Sequence, residues 1–179
     1  MSSVLLVTLL CMIQTCMICG LSSSGRYSGK GGLVVGLNKY SHDASCCLID
    51  VSSGQILFTQ AKERITGRKH DGGAVGGLIR YALRSVGATK DDIVCVVSNN
   101  HHHRVLPFEK RIPFYKKLNY IPAEYEDEDN LLSEKRHLEL SHHLAHAWSV
   151  ACTAPFEKGL VRAEYCPSIR LCIIRPYAH

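Results

Sequence analysis

Three short apolar segments separated by turn residues constrain the fold of this chain more than any other feature. The segments are Leu33–Leu37, Ala44–Asp50 and Gln55–Ala61. Short apolar runs bounded by turn residues are typical of buried strands. The tripeptide Ser52-Ser53-Gly54 between the second and third runs is typical of a hairpin turn. We therefore predict a three-stranded meander that contains one tight hairpin.

A helix is predicted after these three strands. Apolar residues recur every three or four positions, and Gly87 is placed to end the helix. Two more strands are predicted, one at Ile93–Ser98 and a short one at Leu138–Leu140. Strands followed by a helix and further strands favour an α/β domain with a mixed sheet. The helical set is Val75, Leu78, Ile79, Ala82, Leu83 and Val86.

Composition limits the class of protein. With 179 residues, 46% of them hydrophobic and 21% charged, the chain is typical of one globular domain. The net charge of +5 is not concentrated in blocks, so we expect no nucleic-acid partner. Among the nine cysteines, Cys46 and Cys47 are adjacent on a predicted strand and should face opposite sides. Reduced thiols and a cytoplasmic protein are therefore expected, not a disulfide framework.

The first residues differ from the remainder of the chain. Residues 1–21 contain no charged side chain and resemble a signal-peptide core or an anchor, although no Lys or Arg precedes the apolar run. Attachment to a membrane or entry into the secretory pathway is expected only if this leader is functional. Residues 22–32 are rich in Ser and Gly and predict a flexible linker before a domain at 33–160.

Between Asn99 and Asn130 the apolar residues follow neither helical nor strand spacing. A run of consecutive histidines, His101–His103, opens this region, and an acidic run, Glu124–Asp129, lies near its end. Consecutive side chains diverge, which makes the histidine run a poor metal site. The charged runs are predicted to form solvated surfaces.

A histidine pair follows the last predicted strand. In the stretch Ser141–Ser149, His142 and His146 are four residues apart, so on a helix they lie one turn apart on the same face. Two imidazoles in this arrangement can share one divalent metal. Ordinary surface or core histidines on an amphipathic helix are the other interpretation, and the spacing alone does not choose between them.

Three phrases of the sequence together resemble one family. They are Gly36–Ser45, the stretch from Glu63-Arg64 to Arg68-Lys69-His70-Asp71, and His142–Ala147. In order and spacing they are similar to the amino-terminal domain of the O-carbamoyltransferases, the family of nodulation proteins and antibiotic carbamoyltransferases. The resemblance covers Leu33 to Gly159. It implies an α/β half-domain of the actin-like, Hsp70-like ATPase (ribonuclease H-like) type.

The resemblance also implies a reaction. In the family, a second domain makes carbamoyl-adenylate from ATP and carbamoyl phosphate, and the actin-like domain transfers the carbamoyl group to a hydroxyl of a small-molecule acceptor. Carried over to this chain, His142 and His146 are metal ligands for iron or another divalent ion. His42, in the loop after the first strand, is the general base, a role that suits an imidazole at neutral pH.

Four further residues follow from the same resemblance. Arg64, Arg68 and Lys69 could neutralise phosphate charge, and Asp43 could orient a ligand or fix its loop. Without the family resemblance, the favoured interpretations are an exposed basic loop at Arg64–Lys69 and a simple turn at His42-Asp43.

The end of the chain departs from the family pattern. The family's next strand ends in an aspartate and glycines, whereas no aspartate follows Asp129 here and residues 161–179 form a divergent tail. We expect a truncated half-domain, incomplete at its C-terminus and inactive alone. A non-catalytic binding module and a non-functional fragment are alternatives. A metal-dependent hydrolase is less favoured, because the glutamate of an H-E-x-x-H motif is lacking, and Leu144 and Ala145 fill the interior of His143–His146.

Overall fold

A computed structural model of the chain describes residues 25–39, 43–100 and 116–141, together with residue 145. Several sequence predictions fall outside these described residues. They are the leader, His42, the run His101–His103, the metal-ligand candidates His142 and His146, and the tail at 161–179.

A mixed five-stranded sheet forms the centre of the domain, in the order β3-β2-β1-β4-β5. β1 pairs antiparallel with β2 and parallel with β4, while β2–β3 is antiparallel and β4–β5 is parallel. The predicted α/β class and mixed sheet are therefore confirmed. The strands are β1 (Leu33–Asn38), β2 (Ser45–Asp50), β3 (Ile56–Ala61), β4 (Ile93–Asn100) and β5 (His137–Ser141).

The predicted hairpin turn joins β2 to β3. The Asp50 carboxylate accepts hydrogen bonds from the Ser52 N–H at 2.9 Å and from the hydroxyl groups of Ser52 and Ser53 at 2.7 and 2.9 Å. Gly54 has a φ of +70°, a left-handed conformation that glycine adopts without steric cost. Side-chain hydrogen bonds to the local backbone are the usual reason that Asp and Ser favour turns.

Helices cover one face of the sheet. The predicted long helix is α2 (Gly76–Val86), and it ends at Gly87, whose N–H bonds the carbonyl groups of Leu83 and Arg84. A single-turn helix, α1 (Glu63–Thr66), precedes it, and α3 (Glu126–Leu132) packs beside it. Two 3₁₀ turns lie at Lys90–Asp92 and Ala123–Tyr125. The apolar side of α2 lies in the main core with β1, β2, β3 and α3.

The second face of the sheet has its own apolar cluster. Val34, Cys47, Ile49, Cys95 and Val97 pack there against Ala145, which is helical and only 2% exposed. Cys46 belongs to the opposite cluster, so the prediction that the two adjacent thiols face opposite sides is confirmed. Cys46, Cys47 and Cys95 are all buried and none is in a disulfide. Ala145, the fourth residue after the end of β5, thus packs against this second face.

The acidic run at Glu124–Asp129 is not a wholly solvated surface, and that prediction was wrong for its last two members. Glu128 is 1% exposed, and Asp129 is also buried. The Glu128 carboxylate lies 2.8 Å from the equally buried Lys39 ammonium and accepts the Val75 N–H at 3.0 Å. These partners are distant in sequence, so charge patterning along the chain did not reveal them.

The described part of the predicted linker is attached to the domain. The Gly25 N–H bonds the Leu57 carbonyl at 3.0 Å, and the Tyr27 N–H bonds the Val86 carbonyl at 2.9 Å. The Tyr27 hydroxyl accepts the Gly32 N–H at 3.0 Å. Among the residues described, none of the helices combines the length and the apolar character needed to cross a bilayer.

Candidate functional site

Two loops meet where β2 begins and β3 ends. Antiparallel pairing places Ser45 opposite Ala61, so the residues just before β2 lie beside those just after β3. Two backbone hydrogen bonds extend this pairing: the Lys62 N–H bonds the Ala44 carbonyl at 2.7 Å, and the Ala44 N–H bonds the Asp71 carbonyl at 2.9 Å. Residues from the first and second phrases of the family resemblance are thereby brought together.

Helix α1 reverses the chain after β3. Its single turn ends at Gly67, which has a φ of +70° and whose N–H bonds the Glu63 carbonyl at 2.8 Å. The following segment returns toward the start of the helix, where the His70 N–H bonds Glu63 Oε2 at 3.2 Å. Glu63 therefore lies next to His70 although seven positions separate them.

Asp43 and His70 form the polar centre of this arrangement. Asp43 Oδ1 lies 2.8 Å from His70 Nδ1. Both residues have left-handed backbones, with φ of 61° and 58°. Such conformations are uncommon for residues other than glycine, although Asp and His adopt them more readily than most. Surrounding hydrogen bonds fix both backbones, and the two side chains meet as a result.

An asparagine pair fixes the backbone at Asp43. Asn99 Nδ2 donates to Asn38 Oδ1 at 2.7 Å, and Asn38 Nδ2 donates to the Asp43 carbonyl at 2.8 Å. Asn38 and Asn99 lie opposite each other at the carboxyl ends of the parallel strands β1 and β4. Open α/β sheets place ligand-contacting groups at this edge. The chain of hydrogen bonds thus connects the carboxyl edge of the sheet to Asp43.

Asp71 lies at the end of the segment that follows α1 and holds this segment against the helix. Its carboxylate accepts hydrogen bonds from Thr66 Oγ1 at 2.7 Å and lies 2.9 Å from Lys62 Nζ. Lys62 Nζ also donates to the Gly72 carbonyl at 2.7 Å. The hydroxyl of Thr66 and then the ammonium of Lys62 lower the pKa of Asp71 below its usual 3.8, with a smaller contribution from the Arg68 charge.

This lowered pKa predicts an acid-sensitive loop. Because the folded state favours the Asp71 carboxylate, its stabilisation is complete above pH 3.8 and is lost as the pH falls through the lower folded-state pKa. We expect Asp71→Asn to reduce the free energy of unfolding near neutral pH and to flatten its decline below pH 3.8. Urea unfolding followed by circular dichroism across this range measures both effects. Asp91→Asn, the loss of an exposed carboxylate elsewhere, is the control, and equal profiles for the two variants would contradict the prediction.

A pocket of about 620 Å³ opens between these loops. Three predicted substrate-binding residues line it, namely Asp43, Arg64 and Lys69. Arg68 is not among the described lining residues, and its positive charge contributes to the lowered pKa of Asp71. The other described lining residues are Ala61, Glu63, Gly67 and His70.

Two residues of the pocket were not predicted as site residues. Glu63 and His70 lie in the second phrase of the family resemblance, which was the available signal. Their ligand atoms and that of Asp43 all lie within 4.8 Å of one another. Sequence spacing did not reveal this cluster, because it depends on the reversal at Gly67 and on the left-handed backbones of Asp43 and His70.

Comparison with known proteins gives one distant relative. The chain is 28% identical over 133 residues to nodulation protein NolNO of Sinorhizobium fredii (strain NBRC 101917 / NGR234). The alignment covers 69% of this chain and 19% of that protein, so the chain spans about one fifth of the length of the curated relative. No protein-family profile matches the chain. The similarity supports the family resemblance that the sequence phrases indicated.

The pocket combines two chemical capacities. Arg64 and Lys69 can bind an anion, the first through a planar fork of donors and the second as a point charge. The Asp43 carboxylate can fix the orientation of the His70 imidazole by accepting its Nδ1–H, which leaves Nε2 as a proton acceptor. A site with these groups suits a phosphorylated or otherwise anionic small molecule.

Proposed function

We propose that this chain is the amino-terminal part of an O-carbamoyltransferase, which transfers a carbamoyl group from carbamoyl-adenylate to the hydroxyl of a small-molecule acceptor. The observation that carries this proposal is the pocket lined by Asp43, Arg64 and Lys69, which come from two separate segments of the chain. The similarity to NolNO and the mixed α/β sheet support it. In this proposal the sheet belongs to an actin-like half-domain.

The residues of the pocket have distinct proposed roles. Arg64 and Lys69 bind the phosphate of the carbamoyl donor, and Arg68 adds positive charge nearby. His42 takes the proton of the acceptor hydroxyl, and the oxygen attacks the carbamoyl carbon while the bond from that carbon to the phosphate oxygen breaks and AMP leaves. Asp43 orients the ligand or its loop. A separate domain that forms carbamoyl-adenylate from ATP and carbamoyl phosphate is required, so the chain is inactive without one.

His142 and His146 are the proposed metal ligands, with iron as the metal that the family resemblance implies. A bound divalent ion supplies Lewis acidity toward a carbonyl or phosphate oxygen. Their side chains lie outside the described residues. Ala145, between them, is helical and buried against the second face of the sheet.

Binding of carbamoyl phosphate and of AMP tests the proposal. We expect the variant Arg64→Ala/Lys69→Ala to bind each anion at least about tenfold more weakly, because hydrogen bonds to charged groups contribute about 1.5 kcal/mol or more. Isothermal titration calorimetry on the full chain measures the dissociation constants.

The double variant Arg84→Ala/Lys90→Ala is the matched control. Both of its residues are exposed and lie outside the described lining of the pocket. It loses the same two positive charges, so any general electrostatic effect on anion binding is equal in the two variants. Equal loss of affinity in both variants, or no binding of either anion by the unaltered chain, would overturn the assignment of the pocket to the carbamoyl donor.

A further inference from the structure

We propose that Asp43, Glu63 and His70 form a second divalent-cation site, distinct from the histidine pair His142 and His146. Two carboxylates and one imidazole are a donor set that suits Mn²⁺ and related octahedral ions. This proposal concerns the described pocket alone and does not rest on the transferase assignment.

The spacing of the ligand atoms fits one ion. Metal bonds to carboxylate oxygen and imidazole nitrogen of about 2.0–2.2 Å place adjacent ligands about 3 Å apart and opposite ligands about 4.4 Å apart. Asp43 Oδ1 and His70 Nδ1 are 2.8 Å apart across a hydrogen bond whose proton a bound ion would replace and release to solvent. All three ligand atoms lie within 4.8 Å of one another. Small side-chain rotations would therefore bring the three groups onto one ion.

The backbone holds the three donors in place. Asp43 is fixed through Asn38, and the His70 N–H is bonded to Glu63 Oε2 at 3.2 Å. The ligands come from three separate positions around the pocket, before β2, at the start of α1 and after Gly67. Preorganised ligands lose little conformational entropy when an ion binds.

The local charge also favours a cation. Asp43 and Glu63 are acidic, and the Arg64 guanidinium lies 3.8 Å from Glu63 with 67% of its side chain exposed. Exposed pairs of this kind contribute little, so a divalent ion can displace the guanidinium. Lys62 does not compete for the cluster, because its ammonium is paired with Asp71 at 2.9 Å. The pocket can thus hold a cation together with an anion bound by Arg64 and Lys69.

Mn²⁺ titration of the full chain tests this site. The background variant is His142→Ala/His146→Ala, so that the histidine pair proposed above contributes no binding. In this background we expect one saturable Mn²⁺ site per chain by electron paramagnetic resonance. Asp43→Asn, Glu63→Gln and His70→Gln should each weaken it by about tenfold or more.

Two exposed residues provide the control. Asp91→Asn and Glu134→Gln remove one carboxylate each outside the cluster and should leave Mn²⁺ affinity unchanged. Circular dichroism identifies any variant that does not fold. If one ligand variant fails to fold, nuclear magnetic resonance of the background variant tests the site instead. We expect Mn²⁺ to broaden the signals of His70 and Ala61 and to leave that of Val86 unaffected. Absence of a saturable site in the background variant, or affinity retained within twofold in all folded ligand variants, would overturn the proposal.

Discussion

Glu128→Gln is expected to destabilise the protein by about 3–5 kcal/mol, the usual cost of removing one partner from a buried ion pair. The Lys39 ammonium would keep its charge in a site that is 1% exposed, without the carboxylate that now lies 2.8 Å away. The same carboxylate accepts the Val75 N–H just before α2, so the substitution also weakens the entry to that helix. Urea unfolding monitored by circular dichroism gives the free energy.

The neighbouring Glu126→Gln is the matched control for this substitution. Glu126 lies on the same helix and is exposed, so its loss should change the free energy of unfolding by less than about 0.5 kcal/mol. Removing both charges in Lys39→Met/Glu128→Leu should cost less than Glu128→Gln alone, because no charge is left buried without its partner. Equal stability of Glu128→Gln and Glu126→Gln would show that the Lys39 ammonium does not depend on Glu128.

Gly76→Ala is expected to cost about 1–3 kcal/mol, the usual range for overpacking a well-filled core. A Cβ at this position would lie 2.6 Å from Asp127 Cβ, and it would also contact the Glu128 backbone nitrogen too closely. Helix α2 approaches α3 at this point, so relief would require one helix to move.

The adjacent Gly77→Ala should have the opposite sign. An added Cβ at Gly77 meets nothing within 4 Å, and the residue is exposed on the same helix. Replacing a helical glycine by alanine in open space stabilises by about 0.5–1 kcal/mol. Thermal unfolding of the two variants measures the difference between them, and a stabilising Gly76→Ala would contradict the close packing of α2 against α3.

The elements that the sequence predicted are those with a strong local pattern. The three early strands, helix α2 and the strands β4 and β5 all appear within one or two residues of their predicted bounds. Helix α1 was not predicted, because its four residues are too short to show apolar periodicity. The burial of Glu128 was missed for a different reason, since its partner Lys39 is 89 positions away.

The candidate site was predictable only in part. The family resemblance selected Asp43, Arg64 and Lys69, and the structure places them around one pocket. Glu63 and His70 join them through a backbone reversal that no residue pattern specifies. The assigned roles of His42, His142 and His146 stay predictions, since these residues lie outside the described ranges.

The strand order has a consequence for how the domain folds. Strands β2 and β3 are joined by a short turn, whereas the central strand β1 must meet β4 across a parallel pairing of Val35 with Val96. Loop-closure entropy grows with the logarithm of loop length, so the longer closure costs roughly 2 kcal/mol more. We therefore expect the antiparallel meander to form before the parallel half. In that order of events, the edge of β1 that later pairs with β4 has unpaired N–H and C=O groups early in folding, and another chain could pair with them.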